Sequence, residues 1–286
     1  MKLKFVSSAI LLFFFLTYMS CGKENAFSNP SFSNATAHDR TTSLEFAAAA
    51  GSLHNSGLEN LRLNFDFTQS FESNSELADS LLYNLSNFFE DTEELDFSTS
   101  YEQMARDSLA ERFDSEILGD ISKHLAYLNW VRHTSVITSN LSTAELNFID
   151  SLVVFFSTNV SGLSKSQICV LSYNKSQSLL STFNQITWSI GQGTLAIGAL
   201  NVLKSTSLYW ASHDRTGFIG FSGGSGYTPT QAWTILQIDC LGYIGGWVSA
   251  LIDDANGGGV TPAGQDRRIQ QGFNAAACAS GGAILF

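Results

Sequence analysis

Residues 233–252 read WTILQIDCLGYIGGWVSALI, an apolar run broken by few polar residues. Gly242, Gly246 and Ala250 recur in it at four-residue steps. On a helix, residues four apart share a face. The three small residues would therefore form a smooth stripe along which another helix can approach closely, as in helices packed within membranes. Asp239 sits in the middle of the run, with Gln237 beside it. An ionised carboxylate at a bilayer centre costs roughly 2.5–3.5 kcal/mol on insertion scales. We therefore expect the run to be a helix buried in the protein rather than a membrane span. A buried Asp239 would then need a partner, and Arg267, Arg268 or a helix amide are the candidates.

The chain downstream repeats the stripe. Gly272, Ala276 and Ser280 are again four apart. Between the two stripes, Asp253, Asp254, Ala255 and Asn256 lead into Gly257, Gly258 and Gly259, a sequence that ends a helix and turns the chain. A glycine-rich helical hairpin is the expectation. On this glycine spacing the segment resembles the membrane-active region of bacteriocin-like peptides, which implies that the C-terminal half acts on membranes. Upstream, residues 217–226 (GFIGFSGGSG) lack the Lys-Ser/Thr end of a phosphate loop. They read as a loop with aromatic anchors.

Earlier segments carry helical spacing. Ser56 and Glu59 have the Ser-x-x-Glu form of a capping box and predict a short helix through Leu63. Ser73 and Glu76 repeat the form, followed by Leu77, Leu81, Leu82, Leu85, Phe88 and Phe89 on one face. A further helix is expected from about Tyr101, with Leu109, Phe113, Ile117, Ile121, Leu125 and Leu128 apolar. Ser142 and Glu145 form the clearest box, and residues 166–190 show helical spacing again. No proline occurs between Pro30 and Pro229 to interrupt these helices.

The fold class expected is mainly α: a helical bundle after a disordered N-terminal tether, closed by the glycine-rich apolar hairpin. Residues 1–20 read as a signal peptide and 21–42, rich in Ser, Asn, Thr and Ala, as a flexible tether. Residues 43–185 form an acidic helical region. Residues 186–286 form a glycine-rich apolar helical region packed on the helices before it.

The N-terminus gives the address. Lys2 and Lys4 precede an apolar run over 5–16, and Ser20 stands before Cys21. The apolar part is shorter than the about 20 residues of a spanning helix, which fits a cleaved signal. The stretch resembles a bacterial lipoprotein signal. That resemblance implies that Cys21 becomes the first residue of the mature chain and carries the lipid, palmitate included. Lys23 and Glu24 resemble the charged tether of Gram-negative lipoproteins displayed at the outer membrane surface.

Charge narrows the partners. The chain has 26 Asp and Glu against 15 Lys and Arg, and loss of the signal removes Lys2 and Lys4. Nucleic acid, which needs a basic surface, is not an expected partner. Fourteen Asp and Glu fall between Phe71 and Asp120, and we read them as a solvated helix face rather than a metal site. Cys169, Cys240 and Cys278 remain after Cys21. A Cys240–Cys278 disulfide suits an oxidising compartment, and three buried thiols are the alternative.

Of five histidines, none forms a His-Glu-x-x-His pair, and no Gly-x-Ser-x-Gly elbow occurs. A Cys169–His213–Asp214 nucleophile set has no flanking signature. His54, followed by Asn55, reads as a locally hydrogen-bonded histidine. No cofactor is expected. The function expected is a lipid-anchored envelope protein acting by binding or structure, held to the membrane through Cys21, with a protein partner open. A membrane-active protein using the glycine-rich half and an envelope hydrolase are the rivals.

Overall fold

The computed structural model describes residues 43–93, 121–189, 192–219, 226–257, 260 and 264–284. The expected signal, Cys21, the tether, the start of the helix near Tyr101 and most of the acidic stretch lie outside the described residues. The chain is mainly α. Among the described residues there are nine α-helices and no strand.

Helix α1, Ser43–Asn64, buries Phe46, Ala50, Leu53, Gly57 and Leu61 at three- and four-residue steps, with Ala47 and Leu58 beside them. It begins well before the expected start at Ser56, which lies mid-helix and caps nothing. The apolar stripe from Phe46 outweighs the local capping pattern. Helix α2, Asn74–Glu93, starts where expected. Ser73 Oγ accepts the Glu76 amide at 3.2 Å, and the Glu76 carboxylate accepts the Glu72 amide. Leu77, Leu81, Leu82, Leu85 and Phe89 are buried.

Helices α3, Ile121–His133, and α4, Ser135–Thr138, lead to α5, Thr143–Phe156. The box at the start of α5 is complete: Glu145 N donates to Ser142 Oγ at 3.2 Å and Ser142 N to Glu145 Oε2 at 3.0 Å. Helix α6, Lys165–Phe183, carries a second box built by Ser164 and Gln167. It stops short of Ile190, because the chain turns and Trp188 stacks on Phe183, rings 6.1 Å apart at 7°.

Helix α7, Thr194–Ser212, has no counterpart in the sequence expectations. Its N-cap is Gly193, at φ +87°, with the Trp188 ring against its Cα. A side chain there would be strained by the backbone and would strike the indole.

Helices α8, Pro229–Gly257, and α9, Gln265–Ile284, are the long apolar helix and its neighbour. A Cβ on Gly242 would meet Ala276 Cα at 2.7 Å, and one on Gly246 would strike the Gln271 carbonyl oxygen. The partner number falls as the α8 number rises, so the two helices run antiparallel in backbone contact. The described parts on both sides of residue 185 belong to one compact unit, Arg40–Phe286. They share one apolar core drawn from all nine helices.

Candidate functional site

Helix α8 is long and apolar enough to cross a membrane over Pro229–Asn256, yet 89% of its most apolar window is buried inside the protein. The polar residues in its first half are the informative ones. Gln237 and Asp239 are both fully buried, and each is tied to neighbouring helices.

Asp239 lies at the meeting point of α1, α7, α8 and α9. Thr206 and Trp210, one turn apart on α7, both reach its Oδ2. Thr206 Oγ1 donates in a short hydrogen bond, and Trp210 Nε1 donates at 3.0 Å. Ser280 of α9 donates to Oδ1 in another short bond. His54 of α1 places Nε2 3.9 Å from Oδ2 and 3.2 Å from Ser280 Oγ. The expected partners Arg267 and Arg268 are not at Asp239. They sit one end of α9 away, where Arg268 Nη1 donates to Asp254 Oδ2 at 3.0 Å and Arg267 Nη2 pairs with Asp253 and Asp254. Position along the helix decides this: Arg268 shares the four-residue spacing of Gly272, Ala276 and Ser280 but lies at the start of α9, about 18 Å along the axis from Ser280.

The histidine tautomer follows from its neighbours. Asn55 Nδ2 donates to Ser205 O at 3.0 Å, which turns Asn55 Oδ1 toward His54 Nδ1 at 3.0 Å. Nδ1 then carries the hydrogen, and the basic nitrogen is Nε2, facing Ser280. Burial holds His54 below its ordinary pKa, against the pull of Asp239. Burial likewise pushes the Asp239 carboxyl up, against His54 and the three donors. Both shifts favour the uncharged forms. The hydroxyl of Ser280 stands between the two groups.

Serine, histidine and aspartate together invite comparison with a nucleophilic triad. In that arrangement the carboxylate holds one imidazole nitrogen and the hydroxyl the other. Here Asp239 and Ser280 are on the same Nε2 side, and Asn55 holds Nδ1. His54, Asp239 and Ser280 are each 0% exposed. What the cluster does chemically is satisfy a buried carboxylate while joining four helices.

Two further polar ties surround it. His124 Nδ1 of α3 lies 2.9 Å from Gln237 Oε1. Glu145 has a second role beyond its capping box: its Oε1 accepts the Gly193 amide at 2.8 Å, at the start of α7. One carboxylate thus serves the N-termini of α5 and α7, where helix amides lack partners. Burial raises the Glu145 pKa against these hydrogen bonds. Next to it, Tyr243 Oη donates to Thr194 O at 3.1 Å and Trp247 Nε1 to Thr194 Oγ1 at 3.2 Å.

Cys169, Cys240 and Cys278 are free buried thiols, so the expected Cys240–Cys278 disulfide is not formed. The face of α9 that meets α8 carries Gln271, Ala275 and Ala276, whereas Cys278 Sγ points at Ala78 O of α2. Burial pushes the Cys169 thiol up to about 11, which disfavours the thiolate a nucleophile needs. Asp214 is engaged by Lys165 Nζ at 3.1 Å and by the amides of Arg215 and Tyr227, and His213 stacks on Tyr209. Among the described residues, no group of three or more His, Cys, Asp or Glu is placed to hold a metal ion.

The stripe residues Gly242, Gly246, Ala250, Gly272, Ala276 and Ser280 lie in α8 and α9. Gly242, Gly246 and Ala276 make the close approach, and Gly272 lies against the Tyr243 ring. His54, Thr206 and Trp210 were not legible as partners of Asp239. The usable signal was the Thr206/Trp210 pair, two hydrogen-bond donors one turn apart in an apolar helix.

A cleft of about 920 Å³ lies elsewhere, lined by Leu125, Phe156, Ser161 and Trp233 among others, and includes none of the Asp239 cluster. The chain matches no protein-family model, no curated protein and no solved structure.

Proposed function

We propose that this chain is a lipid-anchored protein of the cell envelope, displayed at the outer membrane through an acyl group on Cys21, whose folded part works by binding or structure. That part is a helical bundle closed by the glycine-rich hairpin of α8 and α9. The order of Lys2, Lys4, the apolar run and Ser20-Cys21 carries the anchoring. A non-catalytic role is supported by the Asp239 cluster, in which the acid, base and hydroxyl are all fully buried and serve as ties between helices. Changing Cys21 to Ala moves the protein from membrane to soluble fractions in this reading. Unchanged partitioning refutes anchoring by that residue.

A second reading has its own observation. Residues Pro229–Asn256 form a helix of membrane-spanning length and composition, and a protein with such a helix in its core acts on membranes if the helix leaves the core. Release of dye from vesicles by the purified protein tests this reading, and intact vesicles under all conditions sink it.

A further inference from the structure

We propose that α8 is an acid-released, membrane-inserting helix, held in the protein at neutral pH by the His54–Ser280–Asp239 cluster and passed to a lipid bilayer as His54 takes up a proton and Asp239 stays neutral. This rests on the second reading above and adds to it the moving segment and its trigger.

The segment is set by composition. Between Pro229 and Asn256 the charged residues are Asp239, in the middle, and Asp253 and Asp254, at the C-terminal end. Asp239 is thus the one charge that a bilayer would have to accept at depth. As a carboxylate it costs roughly 2.5–3.5 kcal/mol there on insertion scales. As a neutral acid most of that cost disappears. In the protein it is surrounded by donors from two helices, Thr206 and Trp210 from α7 and Ser280 from α9, with the His54 ring of α1 3.9 Å away. Hydrocarbon offers no donor, so transfer selects the protonated form.

The trigger is set by His54. It is fully buried and faces Asp239 at 3.9 Å. Tyr209, Tyr227 and Cys240 also feel the Asp239 charge, and burial keeps all three protonated and uncharged across the acid range. When α8 leaves, His54 meets water and takes up a proton below its ordinary pKa of about 6.5. Inside the protein, burial opposes that proton. Relative to the bilayer-inserted state, His54 and Asp239 therefore push the same way. His54 takes up one proton on insertion, which shifts the equilibrium by about 10-fold per pH unit, and Asp239 adds only the fraction that is ionised in the protein.

Trp233 and Trp247 report the transfer. They are fourteen helical positions apart within α8, about 21 Å along the axis. The experiment mixes the full chain carrying Cys21→Ala, which no lipid on Cys21 brings to the surface, with phosphatidylcholine vesicles whose acyl chains are brominated. The expected result is unquenched tryptophan fluorescence at pH 7.5 and strong quenching at pH 5. Most of that quenching should be lost in Trp233→Phe/Trp247→Phe. His54→Gln should move the midpoint to lower pH. Quenching equal at both pH values overturns the trigger while leaving membrane activity standing. No quenching at either pH overturns both. Quenching that survives removal of Trp233 and Trp247 overturns α8 as the inserted segment. The wild-type pH profile decides the matter even where a variant does not fold.

Discussion

His54 Nε2 and Asp239 Oδ2 stand 3.9 Å apart with neither side chain exposed, and the hydroxyl of Ser280 contacts both. These groups come from α1, α8 and α9, so a break in the relationship is felt across the core. Asp239→Ala removes the acceptor of Thr206 Oγ1 and Trp210 Nε1 in a fully buried site, while Ser280 Oγ keeps the Ala276 carbonyl. Leaving buried donors unsatisfied in this way costs about 1–3 kcal/mol for each. Urea denaturation monitored by circular dichroism measures it, and a loss under about 1 kcal/mol, within the range of an exposed pair, contradicts the role assigned to the cluster.

In water without lipid, the histidine has a definite pH signature. His54 is held below its unfolded pKa, so the unfolded chain binds its proton more readily. The stability that His54 contributes is present above about pH 6.5 and is lost as pH falls below it, toward the folded pKa. Asp239, shifted up, acts in the opposite direction, which blunts the total. The difference in unfolding free energy between wild type and His54→Gln isolates the histidine. It should shrink as pH falls from 7 to 5. A difference that is flat with pH contradicts a neutral buried His54.

Glu145 offers a test of shared capping. Glu145→Ala removes acceptors from the starts of α5 and α7 and should cost about 2 kcal/mol. Glu145→Gln keeps one acceptor oxygen and removes the charge that burial disfavours, so at pH 7 it should cost less than half as much. Thermal melts of the two variants compare them directly. Equal losses would show that the charge, and not the acceptor geometry, matters there.

The antiparallel contact of α8 and α9 depends on absent side chains. At Gly246 an added Cβ meets the Gln271 carbonyl oxygen, a backbone atom that cannot rotate away. Gly246→Val should therefore cost more than the about 1–3 kcal/mol usual for overpacking, read from the urea midpoint. A variant as stable as wild type would contradict the close approach.

Much of this was legible in the sequence. The small-residue stripes marked faces along which another helix could come close, though not which residues would meet, and the Ser142–Glu145 box placed the start of α5, because both are local patterns with one physical meaning. Burial of the long run followed from Asp239. What the sequence could not supply was the partner of Asp239. Thr206, Trp210, Ser280 and His54 are brought to it by the packing of separate helices, and the basic residues expected there, Arg267 and Arg268, are used at the other end of α9 by Asp254. Ser56 and Glu59 misled for the opposite reason: a valid local pattern lay inside a longer apolar stripe. The Cys240–Cys278 pairing failed because Cys278 faces α2. Alkylation in denaturant without reductant should accordingly modify Cys169, Cys240 and Cys278 together, and a mass increase for one thiol alone would restore the disulfide.

The central claim is that the folded part hangs from a lipid on Cys21. Mass spectrometry of the protein purified from membranes tests it most directly. The account predicts an N-terminal peptide that begins at Cys21 and carries acyl groups. An unmodified Cys21, or a mature chain that retains residues 1–20, would contradict it.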